Sequence, residues 1–205
     1  MAHAGIALGV NLLIAIAPTQ SGPATAPAAP PAVTVVVRDY ADVTATVLQR
    51  AEGVATSVYR QIGIHIRWLH LEDLPTVQDA DQAVPADACR PRVVLDLIPR
   101  GLERQTRPSV NALGSAVPSA SWARVFVARV DAMAKKGNVH DRGQLLGHVL
   151  AHEAGHVLLG RNTHALAGLM AAELHVRQAR QSALTFSPEE AATIHHNLRC
   201  GSKLA

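Results

Sequence analysis

Residues 150–170, LAHEAGHVLLGRNTHALAGLM, are the stretch around which this chain is organised. They contain a His-Glu-x-x-His motif at His152, Glu153 and His156. Residues four apart on a helix lie one above the other, so both imidazoles would point the same way, while Glu153 projects about 100° round from His152. A helix here would therefore bring two ring nitrogens to one metal ion and place a carboxylate beside it.

The residues around the motif favour a buried helix. Asp141 followed by Gln144 resembles a capping box, which predicts that the helix begins there. Gly160 can take the left-handed conformation that ends a helix, so the helix is predicted to stop near residue 159. Between these signals, apolar residues recur at helical spacing: Leu145, Leu146, Val149, Leu150, Val157 and Leu158.

Zinc is the metal that this donor set suits. It accepts neutral imidazole readily, and a catalytic zinc site has three protein ligands and an open position for water. His152 and His156 supply two ligands, and His164 is the leading candidate for the third because Gly160 lets the chain double back toward the metal. The alternative role for His164 is that of a surface loop residue.

Composition sets the class of protein. The chain has 205 residues, of which 48% are hydrophobic but only 3% aromatic, so we expect one domain with a core of Ala, Val, Leu and Ile. The net charge is +3, and no concentrated Lys/Arg run is present. These features argue against a nucleic-acid partner, and we expect a monomer.

The N-terminal segment predicts export. Residues 5–17 are apolar except for Asn11, and at roughly 20 Å of helix they are too short for the ~30 Å core of a membrane. We interpret residues 1–17 as a signal peptide and the Pro/Ala-rich residues 18–32 as a linker, which leaves residues 33–205 as the domain. If residues 1–17 are instead a disordered leader, the protein would stay in the cytoplasm. Cys89 and Cys200 would be a disulfide in an exported protein and two thiols in a cytosolic one.

The rest of the chain predicts a mixed sheet with helices packed on it. Strands are expected at residues 34–38, 64–69, 92–98, 113–117 and 124–130. Helices are expected at residues 41–61, 171–182 and from Ser187, where Ser-Pro-Glu-Glu provides a cap, a first-turn proline and a closing glutamate. Residues 74–91 and 101–111 are expected to be connections, and His195 and His196 to face outward. The predicted class is α+β, with an α/β-type mixed sheet.

These motifs and this order of elements resemble the metzincin clan of zinc metallopeptidases. The clan's motif is HExxHxxGxxH followed by a turn that contains methionine, and here a glycine, a third histidine and Gly168-Leu169-Met170 follow the first two histidines. The sequence departs from the pattern in spacing, because Gly160 comes one residue late and His164 two residues late. The chain is similar to small exported bacterial proteins of this kind.

The resemblance implies a compact zincin catalytic domain that hydrolyses peptide bonds with a zinc-activated water. It implies Zn²⁺ on His152, His156 and His164, and Glu153 as general base. Met170 would be the turn methionine beneath the site. Peptide or protein substrate would lie along an edge strand at Gly114, Ser115 and Ala116, where small side chains leave the backbone accessible.

Alternatives to these roles are open. Glu173 could replace His164, as the third ligand that another His-Glu-x-x-His clan takes from a following helix. Met170 could be a core residue alone, and His148 is expected to be core or to support a ligand rather than bind metal. The alternative function is a non-catalytic exported binding or structural module whose zinc only holds the C-terminal half together.

Overall fold

The structure is a computed structural model that describes Met1 and residues 30–71, 91–106, 108–109, 111–139, 141–174 and 184–199. Its strands are β1 (Ala32–Asp39), β2 (His65–His70), β3 (Arg92–Ile98), β4 (Gly114–Val117) and β5 (Trp122–Phe126). Its helices are α1 (Ala45–Gln61), α2 (Arg100–Thr106), α3 (Val127–Lys136), α4 (Arg142–Leu159) and α5 (Pro188–Asn197), with a short 3₁₀ turn at Pro118–Ala120.

The five strands form one mixed sheet in the order β2-β1-β3-β5-β4. The first four strands in this order are parallel, and β4 runs antiparallel to β5 at one edge. Strands β1 and β3 lie inside the sheet and carry the buried valines and leucines expected of parallel strands covered on both faces. The predicted mixed sheet with packed helices is confirmed.

Helix α4 lies at the centre of the packing. Every one of its residues is buried except Arg142 and Gln144, and it contacts α1, α3, α5 and strands β3, β4 and β5. Its cap follows the sequence, since the side chain of Asp141 accepts a hydrogen bond from the Gln144 backbone N–H at 2.8 Å. Gly160 ends the helix with φ of 69°, in the left-handed region that glycine adopts freely.

Helices α1 and α4 approach closely because α4 presents glycine at the crossing. A Cβ atom on Gly147 would lie 2.5 Å from the carbonyl oxygen of Ala51 and 2.6 Å from Cβ of Val54. One helix turn earlier, a Cβ on Gly143 would lie 2.6 Å from Cγ of Arg50. Near the other end of the contact, the buried hydroxyl of Tyr59 donates to the carbonyl of Ala151 at 3.0 Å.

Two predictions about secondary structure were wrong, and a third was wrong in the part that the structure describes. The strand expected at residues 124–130 ends at Phe126, and helix α3 follows, with Val127, Val130 and Ala134 buried at helical spacing. The connection expected at residues 101–111 contains helix α2. Of the helix expected at residues 171–182, residues 171–174 are not helical, and residues 175–182 lie outside the described residues. For residues 124–130 the local pattern was short enough to fit either period, and the packing of Val127, Val130 and Ala134 into the core decided between them.

The C-terminal helix α5 begins as predicted. Ser187 accepts from the Glu190 N–H at 3.2 Å, and the Glu190 carboxylate accepts from the Ser187 N–H at 2.8 Å, which is a complete capping box. His196 is exposed as expected. His195 does not face outward as expected, because its half-buried ring donates from Nε2 to the carbonyl of Ile62 at 2.6 Å.

Several predictions lie wholly or mainly outside the described residues. These are the signal peptide, most of the linker, the loop at residues 74–91 and both cysteines. Within the part of the chain that the structure describes, no helix is both long enough and apolar enough to cross a membrane.

We predict opposite effects from adding one methyl group to a glycine in each of the two central helices. Gly147→Ala should lower the free energy of unfolding by about 1–3 kcal/mol, because the new Cβ meets the backbone of α1. Gly53→Ala in α1 is the matched control: nothing lies within 4 Å of its Cβ position, so it should stabilise by about 0.5–1 kcal/mol through helix propensity. Denaturant unfolding of both variants measures this, and equal effects would contradict the close crossing.

Candidate metal centre

The C-terminal half of α4 presents the motif residues toward β4 and the loop that follows the helix. His152 and His156 lie one turn apart on the same face, and both are buried. His164 comes from the loop after Gly160 and is exposed. The chain turns back after the helix because the Arg161 N–H donates to the carbonyl of His156 at 3.2 Å.

Three imidazole nitrogens meet at one point. The Nε2 atoms of His152 and His156 are 3.0 Å apart, and those of His156 and His164 are 3.3 Å apart. One nitrogen from each ring lies within 4.8 Å of the others. The longer connection from Gly160 to His164 therefore still delivers the third ring to the first two.

Backbone carbonyls fix the orientation of the two helical imidazoles. The Nδ1 atom of His152 lies 2.7 Å from the carbonyl oxygen of Leu169, and Nδ1 of His156 lies 3.0 Å from that of Arg161. Because a carbonyl oxygen can only accept, each ring has its proton on Nδ1 and its lone pair on Nε2. Outer hydrogen bonds of this kind are typical of metal-binding histidines.

Burial keeps these rings neutral. It lowers the pKa of His152 to about 4, with the neighbouring His156 and His164 acting in the same direction and the bond to the Leu169 carbonyl opposing it. Burial also lowers the pKa of His156 below its ordinary value. Neutral imidazole is the form that binds a metal ion, so the pair is ready to bind one at neutral pH.

The cluster fits a tetrahedral zinc ion. Zinc–nitrogen bonds of about 2.0–2.1 Å at tetrahedral angles place neighbouring nitrogens about 3.4 Å apart, and the observed distances from His156 are close to this value. Lone pairs that face one another across such distances repel in the absence of a cation. The chemistry of the donor set and its spacing therefore both favour a bound cation.

Glu153 lies beside the cluster in an apolar setting. Its side chain is 4% exposed, and burial raises the pKa of the carboxyl to about 8. Its Oε2 atom has no hydrogen-bond partner among the described residues. A buried carboxyl oxygen without a partner is costly and points to a ligand or water that completes the site.

Strand β4 makes room for this carboxyl. A Cβ on Gly114 would lie 2.5 Å from both Cδ and Oε1 of Glu153, so any larger residue at this position would displace the carboxyl. The sequence predicted small residues on this strand so that a substrate could approach. The contact with Glu153 gives Gly114 a second role that only the fold reveals.

Met170 packs against α4 at Gly155. It is buried, and its Sδ atom is 2.8 Å from the position of a Cβ on Gly155, between the two histidines of α4. The turn that carries it is closed by a hydrogen bond from the Ala165 N–H to the Met170 carbonyl at 2.8 Å. Gly168 occupies a left-handed position in this turn with φ of 87°. The neighbouring Leu169 supplies the carbonyl that orients His152.

A cleft of about 1040 Å³ opens over the three histidines and Glu153. Residues 112–116, which include the first three residues of β4, form one wall, and residues 171–174 form another. Glu173, the alternative third ligand, is exposed on this second wall and does not belong to the three-histidine cluster. His148 is buried in α4 one turn before His152 and is likewise not part of the cluster.

The sequence did not single out Asn162 or Arg129. The side-chain amide of Asn162 donates to the carbonyl of Ala116 on β4 at 3.2 Å. Arg129 of α3 donates to the carbonyls of Ser109 and Ala112, at 2.5 and 2.9 Å, and so holds the segment that leads into β4. These partners are separated by 17 to 46 positions in sequence, and no local sequence pattern predicts such contacts.

Comparison with known proteins supports the fold. No family model matches this chain, and no curated protein matches its sequence. Among solved structures, it is similar to the crystal structure of archaemetzincin from Methanopyrus kandleri, with a TM-score of 0.50 and 14% identity over 85% of this chain and 99% of that chain. At this identity the likeness concerns the fold alone. The predicted metzincin-like fold is confirmed, and the three-histidine group is consistent with the metal site of that clan.

We predict that His164→Ala weakens the binding of Zn²⁺ by more than about 100-fold, because the loss of a ligand should exceed the 10–100-fold cost of losing an outer partner. His65→Ala is the control, since His65 is exposed on β2 and lies outside the cluster. Competition with a zinc-binding dye would measure both affinities. Unchanged affinity and stoichiometry in His164→Ala would reject His164 as a ligand.

Proposed function

We propose that this protein is a zinc-dependent metallopeptidase. The observation that carries the proposal is an open cluster of three histidines with a buried carboxyl beside it, at the base of a cleft that one sheet edge borders. The archaemetzincin-like fold supports it.

His152, His156 and His164 would hold the zinc ion through their Nε2 atoms. Bound there, zinc would lower the pKa of a water molecule toward about 7 and polarise the carbonyl of the substrate. The carbonyls of Leu169 and Arg161 keep the first two rings in the tautomer that this requires.

Glu153 would act as the general base and then as the general acid. Its Oε2 atom makes no hydrogen bond to the described residues, so it can accept a proton from the attacking water and deliver it to the leaving amine. Burial raises the pKa of this carboxyl to about 8, because an apolar setting disfavours the charged form. A nearby cation would favour the carboxylate, which is the form that a base requires.

A peptide substrate would lie along the free edge of β4. This strand is the last of the sheet, and it borders the cleft beside Glu153. Backbone hydrogen bonds to such an edge provide affinity that is independent of side-chain sequence.

The alternative is a structural zinc site in a non-catalytic module. Structural zinc is enclosed by four protein ligands, whereas catalytic zinc has an open position. Among the described residues the cluster has three members, one of which is exposed, and it faces the cleft. This arrangement favours the catalytic proposal. Export remains a prediction from residues 5–17, and we propose it as the location of the enzyme.

We predict that Glu153→Gln lowers the turnover number by at least about 10²–10⁴-fold, because the amide cannot accept the proton. Zinc content should be unchanged, since Glu153 is not a ligand. The assay is digestion of casein and of a peptide library, with and without chelator, together with metal analysis of the purified protein.

Glu189→Gln is the matched control, because Glu189 lies on the surface at the start of α5 and away from the cleft. It should keep full activity. If the Glu153→Gln protein also cleaved peptides at the wild-type rate, the role proposed for Glu153 would be wrong.

A further inference from the structure

The free edge of β4 offers a short row of backbone groups. In a strand, the backbone groups of successive residues point alternately to its two sides. The carbonyl of Leu113 accepts from the Phe126 N–H of β5 at 2.8 Å, so Leu113 points toward the sheet. The backbone groups of Gly114 and Ala116 consequently point away from β5, toward the free edge.

The contact of Asn162 with β4 agrees with this direction and engages one of these backbone groups. Its side-chain amide, which comes from the loop between α4 and His164, donates to the Ala116 carbonyl at 3.2 Å. Among the described residues, the edge therefore offers Gly114 N–H, Gly114 C=O and Ala116 N–H to a peptide, whereas Ala116 C=O already has a donor.

We infer that the Asn162 side chain ends the peptide-binding edge at Ala116. The peptide residue whose N–H would otherwise donate to the Ala116 carbonyl then needs no backbone N–H for binding. The inference rests on the proposed function, because it takes β4 as the place where a peptide pairs. A bound peptide forms its backbone bonds beside Gly114 and leaves the sheet where the Asn162 side chain stands.

A specificity follows for the substrate. Whether a peptide runs parallel or antiparallel to β4, one of its N–H groups would donate to the Ala116 carbonyl if that oxygen were available. With Asn162 in place, its side-chain amide stands on the edge side of this oxygen, so a peptide N–H that approaches from that side competes with it for the same acceptor. The enzyme should therefore accept proline or an N-methylated residue there, but not at the position whose N–H meets the carbonyl of Gly114.

The test is an N-methyl scan of one octapeptide, chosen from the sites that the wild-type protein cleaves in casein or, if it cleaves none, from casein itself. Each position is methylated in turn, and binding is measured by fluorescence anisotropy to zinc-loaded protein that carries Glu153→Gln, so that the peptide is not consumed. Four forms are compared: Asn162, Asn162→Ala, Asn162→Asp and Thr163→Ala. The aspartate keeps the shape of asparagine but cannot donate, and Thr163 is an exposed neighbour in the same loop.

With Asn162 present, the peptide position whose N–H would face the Ala116 carbonyl should tolerate the methyl group. The position whose N–H meets the Gly114 carbonyl should not. In Asn162→Ala and Asn162→Asp, that position should become sensitive by about 2- to 10-fold in Kd, which is the usual net effect of one neutral hydrogen bond. Thr163→Ala should keep the wild-type profile.

An unchanged profile in both Asn162 variants would overturn the inference, as would the absence of any binding of the parent peptide. Loss of zinc from Asn162→Asp would also overturn it, because Asn162 would then act through His164. Failure of the proposed function is a separate result: it would appear as peptide binding without cleavage by the protein that retains Glu153.

Discussion

The burial of α4 is the constraint on which the rest of this structure depends. A helix covered on all sides must bring other elements close to its backbone, and glycine at positions 143 and 147 allows α1 to approach. It must also satisfy or tolerate its polar side chains in an apolar interior, where an unpaired polar group is costly. His152 and His156 meet this demand through the backbone carbonyls of Leu169 and Arg161, in the segment that follows the helix. Glu153 meets it only in part, because its Oε2 atom has no hydrogen-bond partner among the described residues, and this unpaired atom lies at the candidate site.

The same constraint explains how far the sequence predicted the structure. Helix α4 is long, has a cap at Asp141 and a stop at Gly160, and repeats its apolar residues over several turns, so its limits could be predicted closely. The limits of β5, which begins at Trp122, could not be predicted closely, because the segment from Val125 to Val130 is short, rich in β-branched residues and compatible with either a strand or a helix. Packing of Val127, Val130 and Ala134 into the core is what makes the second part helical.

The candidate site, too, could be predicted from the sequence only in part. The two helical histidines and the carboxyl follow from spacing on one element, and a third histidine after a helix-ending glycine could be proposed from the sequence. The contacts of Asn162 with β4, of Gly114 with Glu153 and of Leu169 with His152 could not be predicted from spacing. They join segments far apart in sequence, and only the fold brings them together. The departure from the metzincin spacing is accommodated by this local structure, since the helix simply continues to Leu159 before Gly160 turns the chain.

The turn at residues 165–171 links the site to the core. Met170 packs under α4 at Gly155, and the adjacent Leu169 orients the imidazole of His152. The bond from the Ala165 N–H to Met170 closes this turn directly after His164. A change that loosened the packing of Met170 would therefore move the carbonyl that fixes one ligand and the loop that carries another. Because the same contacts hold the ligands and the core, binding of a metal ion at the three histidines would also stabilise this half of the domain.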